Sequence, residues 1–250
     1  MKLGSLEKSM QLIEIMAANS RGLALSQLAS LSGLPPSSVH HVLSTLRGRN
    51  YVMQDPETKK YSLGFRFLAI SRSILDGFDI RRISQRYLYS LSQELKESVQ
   101  LGVWVNNMVL FVDKANASDC HLAVLIHVGA TLPPHVAASG KLLMAEKSQA
   151  EIKEIFKSGN LTSHGPRSIT SMPLLLQELE TVKQRGYSID DEESHMGLRA
   201  VAAPIKRDGK TLAALSVIGP VFNMPMERIT REILPKIKDT AAVLSEKVQW

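Results

Sequence analysis

An enzyme needs a nucleophile, an acid–base pair or a set of metal ligands, and the residues of those types in this chain fail on spacing. Ser139-Gly140-Lys141 has the ending of a phosphate-binding loop, yet the pattern G-x-x-x-x-G-K-[ST] requires glycine where His135 stands and a hydroxyl where Leu142 stands. His121, His127 and His135 lie at intervals that match no zinc spacing, so satisfied or surface histidines are expected rather than a metal site. The single cysteine, Cys120, permits no internal disulfide and has no partner at finger spacing, so it reads as a small half-buried apolar residue. No metal, no cofactor and no enzymatic reaction are expected. A small-molecule enzyme of unknown reaction and a protein-interaction module remain the alternatives to a binding role, and turnover or salt-insensitive protein binding would reveal them.

The elements around these residues point elsewhere. The 250 residues exceed the usual size of one domain, and 44% hydrophobic with 22% charged residues is ordinary for a globular chain. No apolar run approaches the roughly 18 residues that cross a bilayer, and no leader-like segment opens the chain, so a cytoplasmic protein with no membrane partner is expected. The net charge of +6 is unevenly spread: residues 1–75 carry nine Lys or Arg against four acids, a surplus of five, and the remaining 175 residues are nearly neutral. A small basic amino-terminal part suggests polyanion binding separated from a second task.

Leu6, Met10, Ile13 and Ala17, broadened by Leu12 and Met16, predict a first helix capped by Ser5. Ser26 is expected to cap a short second helix, Gln27 to Leu31, with Leu28 and Leu31 inward and Gly33 ending it. A third helix begins near Pro35–Ser37 and runs to about Arg49 on a core stripe of Val39, Val42, Leu43 and Leu46. Opposite that stripe stand Ser37, Ser38, His41, Ser44, Thr45 and Gly48, flanked by His40, Arg47 and Arg49. Two helices joined by a glycine turn, the second presenting short hydrogen-bonding side chains, form a helix-turn-helix suited to a major groove. Strands at 51–54 and 59–63 around Asp55-Pro56-Glu57-Thr58 predict a wing whose Lys59 and Lys60 neutralise phosphates. With Ser26 and Gln27 from the second helix, these residues are the predicted interface with double-stranded operator DNA.

Residues 64–75 predict a connecting helix, and a long helix follows from about Asp79 to Ser98. A hairpin at 99–112, helices near 137–146, 148–157 and 171–185, strands at 200–205 and 211–218 and a final helix at about 225–248 complete an α+β domain with a largely antiparallel sheet. The predicted organisation is a winged helix-turn-helix domain over 5–66, a linker helix over 67–80 and a larger α+β domain over 81–250.

Leu34-Pro35-Pro36-Ser37-Ser38-Val39-His40-His41-Val42-Leu43-Ser44-Thr45-Leu46, Asn50-Tyr51-Val52 and Lys60-Tyr61-Ser62-Leu63-Gly64 resemble the IclR-type bacterial transcription regulators. The resemblance extends through 129–141, 185–193, Gly197-Leu198-Arg199, Ala202-Ala203-Pro204 and 215–220, which is nearly the whole chain. Pro36 and His41 replace a lysine and an arginine of the family pattern and remove fixed charge from the DNA-facing side. The resemblance implies a larger domain that senses a small molecule and oligomerises, with Ala138, Ser139, Asp190, Ala200, Ser216 and Ile218 around the effector.

Ala200 and Ile218 replace a cysteine and a serine common in the family, which makes the pocket less polar. Small residues at 137–140 opening a helix would leave N–H groups for an anion such as a carboxylate. The Asp190–Glu193 run reads as an acidic turn in which at least Asp191 and Glu193 are solvated. The implied protein is a homodimeric or homotetrameric regulator, more readily a repressor than an activator, whose operator affinity responds to a small organic effector, possibly a carboxylic acid.

Overall fold

Side chains alternate across a β-strand with a period of two, so strands whose two residue sets are both apolar must be covered on both faces. Such strands dominate the carboxy-terminal part of the chain. In a computed structural model, residues 4–77, 79–117, 127–157, 159 and 161–248 are described, and the chain divides into two compact units, 1–77 and 78–250.

In the first unit, α1 (Ser5–Ala17), α2 (Leu25–Ser32) and α3 (Pro36–Gly48) precede the two-stranded hairpin β1 (Val52–Gln54) and β2 (Tyr61–Leu63), then α4 (Arg66–Asp76). Its core is built from Leu12, Met16, Leu28, Val39, Leu43, Val52 and Tyr61. Neither predicted cap holds. Ser5 is already helical, and the preceding Gly4 donates its N–H to Glu7 Oε2 at 2.9 Å. Leu23 exchanges both backbone hydrogen bonds with Tyr61, at 2.9 and 2.8 Å, and Gln27 Oε1 accepts from Ala24 N–H at 2.9 Å. The second helix therefore starts at Leu25, directly after that bridge, and Ser26 lies inside it.

Leu6, Met10 and Leu31, expected inward, are exposed, because the small core sits against the Leu12–Met16 side of α1 and the Leu28–Ala29 side of α2. Gly33, at φ +67°, ends α2 in the left-handed region as expected. Lys59 and Lys60 lie in the turn rather than in a strand, with Lys59 at φ +57°. At Gly64 a Cβ would stand 2.1 Å from the carbonyl oxygen of Asn50, so the chain leaving the wing passes the Asn50–Tyr51 backbone only as glycine.

The second unit contains α5 (Asp79–Leu95), β3 (Ser98–Val105), β4 (Met108–Ala115), β5 (Thr131–Leu132), α6 (Ala138–Met144), α7 (Gln149–Ile155), α8 (Met172–Arg185), β6 (Ser188–Asp191), β7 (Leu198–Arg207) and β8 (Lys210–Pro220). The six strands form one antiparallel sheet in the order β5-β4-β3-β8-β7-β6. The expected single carboxy-terminal helix is instead α9 (Met226–Arg228), a π turn at Ile229–Ile233 and α10 (Leu234–Lys247).

One sheet face carries Val99, Leu101, Val201, Ile205, Leu215 and Val217 against Leu88, Leu91 and Leu95 of α5 and Ile237 and Leu244 of α10. The alternate residues Ala200, Ala202, Ala214 and Ile218 face α6.

Leu28 is fully buried, so Leu28→Ala should destabilise the first unit by about 2–5 kcal/mol in denaturant unfolding. Leu31→Ala on the same helix, at a residue 58% exposed, should stay within about 0.5 kcal/mol.

Candidate effector cavity and nucleic-acid face

On α3 the apolar stripe of Val39, Val42 and Leu43 is buried, which turns Ser37, His40, His41, Ser44, Thr45, Arg47 and Arg49 outward. Ser38 is half-buried at the edge of that face. Thr45 Oγ1 donates back to the His41 carbonyl at 3.1 Å, which leaves Ser44 as the freer hydroxyl. Arg47 Nη1 donates to Gln54 Oε1 at 2.8 Å, and Gln54 Nε2 donates to the Lys59 carbonyl at 3.1 Å, so one chain of bonds ties α3 to the wing. Lys59 Nζ donates to the Pro56 carbonyl at 2.7 Å and stiffens the turn, while Lys60 is exposed beside it. Ser26 and Gln27 are exposed on α2, although the Gln27 side-chain oxygen is engaged by Ala24.

In the second unit, the sheet face toward α6 and the start of that helix line a partly open cavity of about 10 Å³, room for about one water. The sequence-predicted residues Ala138, Ser139, Asp190, Ala200, Ser216 and Ile218 all line it. Strand pairing brings them together: Asp190 stands opposite Ala200, Ala200 opposite Ile218, and Ser216 opposite Gln100. α6 approaches closely because two glycines let it. A Cβ on Gly140 would stand 2.3 Å from the Pro134 carbonyl oxygen, and one on Gly102 would stand 3.3 Å from Ser139 Cβ. The Ser188 hydroxyl donates to the Ala138 carbonyl and fixes α6 to β6. Helix α6 begins at Ala138, with Ala137 as its cap residue, and all seven of its residues are buried.

Ala137, the first of the small residues read as opening α6, also lines the pocket, and so do Gln100, Phe111, Leu132 and Ser194, which residue reading did not single out. Gln100 did carry a signal, as the one polar side chain between Val99 and Leu101 in an otherwise apolar strand. Ser194 carried none, since its place depends on the fold of the loop before β7.

That loop overturns the expected solvated acidic turn. Asp190 Oδ1 accepts from the N–H groups of Glu193 and Ser194 at 2.8 and 3.2 Å, and Oδ2 accepts from the Ser194 hydroxyl at 2.5 Å. Both Asp190 oxygens are therefore engaged within the chain, and burial pushes this carboxyl above its ordinary pKa against those hydrogen bonds. Glu193 is buried and pairs at 2.5 Å with Lys141 of α6, whose side chain is 1% exposed. Glu178 stands 3.4 Å from the same ammonium and is itself held by Arg185 at 2.9 Å. Asp191 is half-buried between Arg167 and Arg199. The acidic run is a latch between the sheet, α6 and the 165–168 turn, where Ser168 Oγ donates to the Glu193 carbonyl at 2.5 Å.

His135 is buried, with Nε2 bonded to the Thr162 carbonyl region at 3.0 Å and its ring against Phe156 and His164. His127 is exposed, and Cys120 and His121 lie outside the described residues. Among the described residues no cluster of three metal-ligating side chains occurs, and no helix is long and apolar enough to cross a membrane.

Burial raises the Glu193 carboxyl from 4.5 to about 7 despite Lys141. The folded chain then holds this proton more tightly than the unfolded chain, so the contribution of Glu193 is full below about 4.5 and is lost as pH rises through about 7. The melting temperature of the wild type relative to Glu193→Gln should accordingly fall between about pH 5 and pH 8, and a difference that stays flat would contradict this.

The sequence pattern of the IclR helix-turn-helix domain matches residues 5–56, and that of the bacterial transcriptional regulator IclR C-terminal region matches residues 72–246. The HTH-type transcriptional regulator KipR of Bacillus subtilis is 31% identical over 248 residues, covering 97% of this chain and 96% of its own. The transcriptional repressor IclR of Escherichia coli is 28% identical over 229 residues, covering 90% and 83%. Among solved structures, an IclR homologue of Microbacterium hydrocarbonoxydans complexed with 4-hydroxybenzoate superposes with a TM-score of 0.81 at 23% identity, covering 98% of this chain and all of the other. With both of its units matched in order, the chain belongs to the IclR family of bacterial transcriptional regulators.

Proposed function

We propose that this regulator is a repressor that binds a two-fold operator as a homodimer or a pair of dimers and releases it when a small carboxylic acid occupies the cavity beneath α6. The observation that carries the effector reading is the lining of this pocket, where the polar side chains of Gln100, Ser139, Asp190, Ser194 and Ser216 converge beside an apolar core. The Ser139 and Ser216 hydroxyls and the Gln100 amide supply donors, and Asp190, with both oxygens engaged, offers little competition to an acidic ligand. The 4-hydroxybenzoate bound by the Microbacterium relative is an acid of this kind, and the Escherichia coli relative, a transcriptional repressor, supports the direction of control.

Ser37, Ser38, His40, His41, Ser44 and Thr45 are the proposed reading surface, with Ser26, Gln27, Arg47, Arg49, Lys59 and Lys60 contacting the phosphate backbone around it. Dimerisation is supported by the apolar side chains Phe65, Leu68 and Ile74 of the α4 region, which are more than half exposed in the single chain. Two-fold symmetry of the protein would be mirrored in the operator half-sites. The effector acts by preferring one of two arrangements of the paired DNA-binding units, and operator affinity shifts by that preference.

Anisotropy titration against the duplex upstream of the gene, at physiological salt with excess random competitor, tests this reading. Ser44→Ala should cost about 1–3 kcal/mol on the operator and little on random DNA. Lys60→Ala should weaken both alike and lower the salt slope by about one. Binding erased by random competitor would contradict sequence-specific regulation, and a bound acid that leaves operator affinity unchanged would contradict the coupling.

A further inference from the structure

We propose that the cleft between the α6–α7 turn and α8 is a second small-molecule site, built for an amphipathic monoanion with an aliphatic body. It lies apart from the pocket at the start of α6 and stands independently of the effector reading above. The cleft has a volume of about 470 Å³, within the roughly 300–1,000 Å³ of small-molecule sites. Its floor is aliphatic, made of Ala145, Ile152, Leu176 and Leu179. Ile152 and Leu179 belong to a small core of their own with Met144, Phe156 and Leu175, so packing fixes the floor in place.

Two lysines give the cleft its sign. Lys147 is half-buried, and its Nζ stands 4.5 Å from the centre of the Trp104 ring, a contact that holds the ammonium at the cleft wall. Lys183 follows Leu179 by one turn of α8 and lines the same cleft. Among the described residues neither ammonium is in ion-pair contact with a carboxylate. Glu151 feels the charge of Lys147, yet its carboxylate is bonded to the Ser148 N–H at 2.8 Å and hydroxyl at 2.7 Å. That reciprocal bonding also satisfies the start of α7, so the sign of the cleft rests on the lysines. Glu180, the one carboxylate of the lining, accepts from Gln184 Nε2 at 3.0 Å. Two cations against one carboxylate leave a surplus of one positive charge, which a monoanion neutralises and a dianion exceeds. The aliphatic floor adds affinity by taking an apolar chain out of water.

The test titrates the full chain with octanoate, octylammonium, 1-octanol and octanedioate, which share a chain length and differ in charge. Calorimetry reads the affinities. Location is read from tryptophan emission in Trp250→Phe, which leaves Trp104 as the only tryptophan. Octanoate should shift the Trp104 emission saturably, because its carboxylate draws Lys147 from the ring. It should bind roughly tenfold or more tightly than octylammonium and more tightly than octanedioate. Lys147→Gln and Lys183→Gln should each weaken octanoate roughly two- to fivefold and leave 1-octanol unchanged. Equal binding of octanoate and octylammonium, lysine variants that bind octanoate as the wild type does, or no saturable octanoate binding overturns the site. A calorimetric signal with no change at Trp104 places the acid elsewhere and overturns it as well.

Discussion

The second unit depends on the antiparallel pairing of β3, β8 and β7, because that register decides which side chains share a face. Once Gln100, Ser216 and Ala202 lie in one row and Ala200 beside Ile218 in the next, Val99, Leu101, Val201, Leu215 and Val217 fall on the other side with α5 and α10. On the face left to α6, β8 and β7 carry Ala200, Ala202, Ala214 and Ser216 beside Ile218. Beneath a helix whose distance is set by Gly140 against Pro134 and by Ser139 over Gly102, these small residues leave a pocket the size of about one water. The void is a consequence of strand register combined with side-chain volume.

Electrostatics then fasten α6 to the sheet and to α8. Lys141 is carried on the hidden side of α6, and an ammonium taken out of water persists only with a partner. Glu193 supplies it, at the cost of its own desolvation, and Glu178 and Arg185 extend the pairing to α8. Because Asp190 and Ser194 line the pocket while Glu193 holds α6 beside it, pocket lining and helix position share one five-residue stretch.

In the first unit the equivalent constraint is the two-bond bridge between Leu23 and Tyr61. It joins the start of α2 to the second strand of the wing, and the Arg47–Gln54–Lys59 chain joins α3 to the same hairpin. Recognition helix and wing are thereby fixed to one another within the unit, which is what a groove-reading helix with flanking phosphate contacts needs.

Much of this was legible in the sequence. Period-3.6 stripes gave the three helices, a basic surplus marked the first unit, and alternating apolar strands gave the antiparallel sheet, because these signals are local and carried by residues close in the chain. The six cavity residues were recognised by resemblance, and their meeting in space followed from strand pairing. What the sequence could not decide was the state of each polar group once buried. Glu193 and Asp191 look solvated in a run of acids, and only the return of α6 and the 165–168 turn withdraws them from water. Ser26 looks like a cap until a backbone bridge from 38 residues away sets the helix start. Gln100 shows its polarity in the sequence and the lack of a partner for its Nε2 only in the fold, since hydrogen-bond satisfaction is settled by groups brought together across the chain.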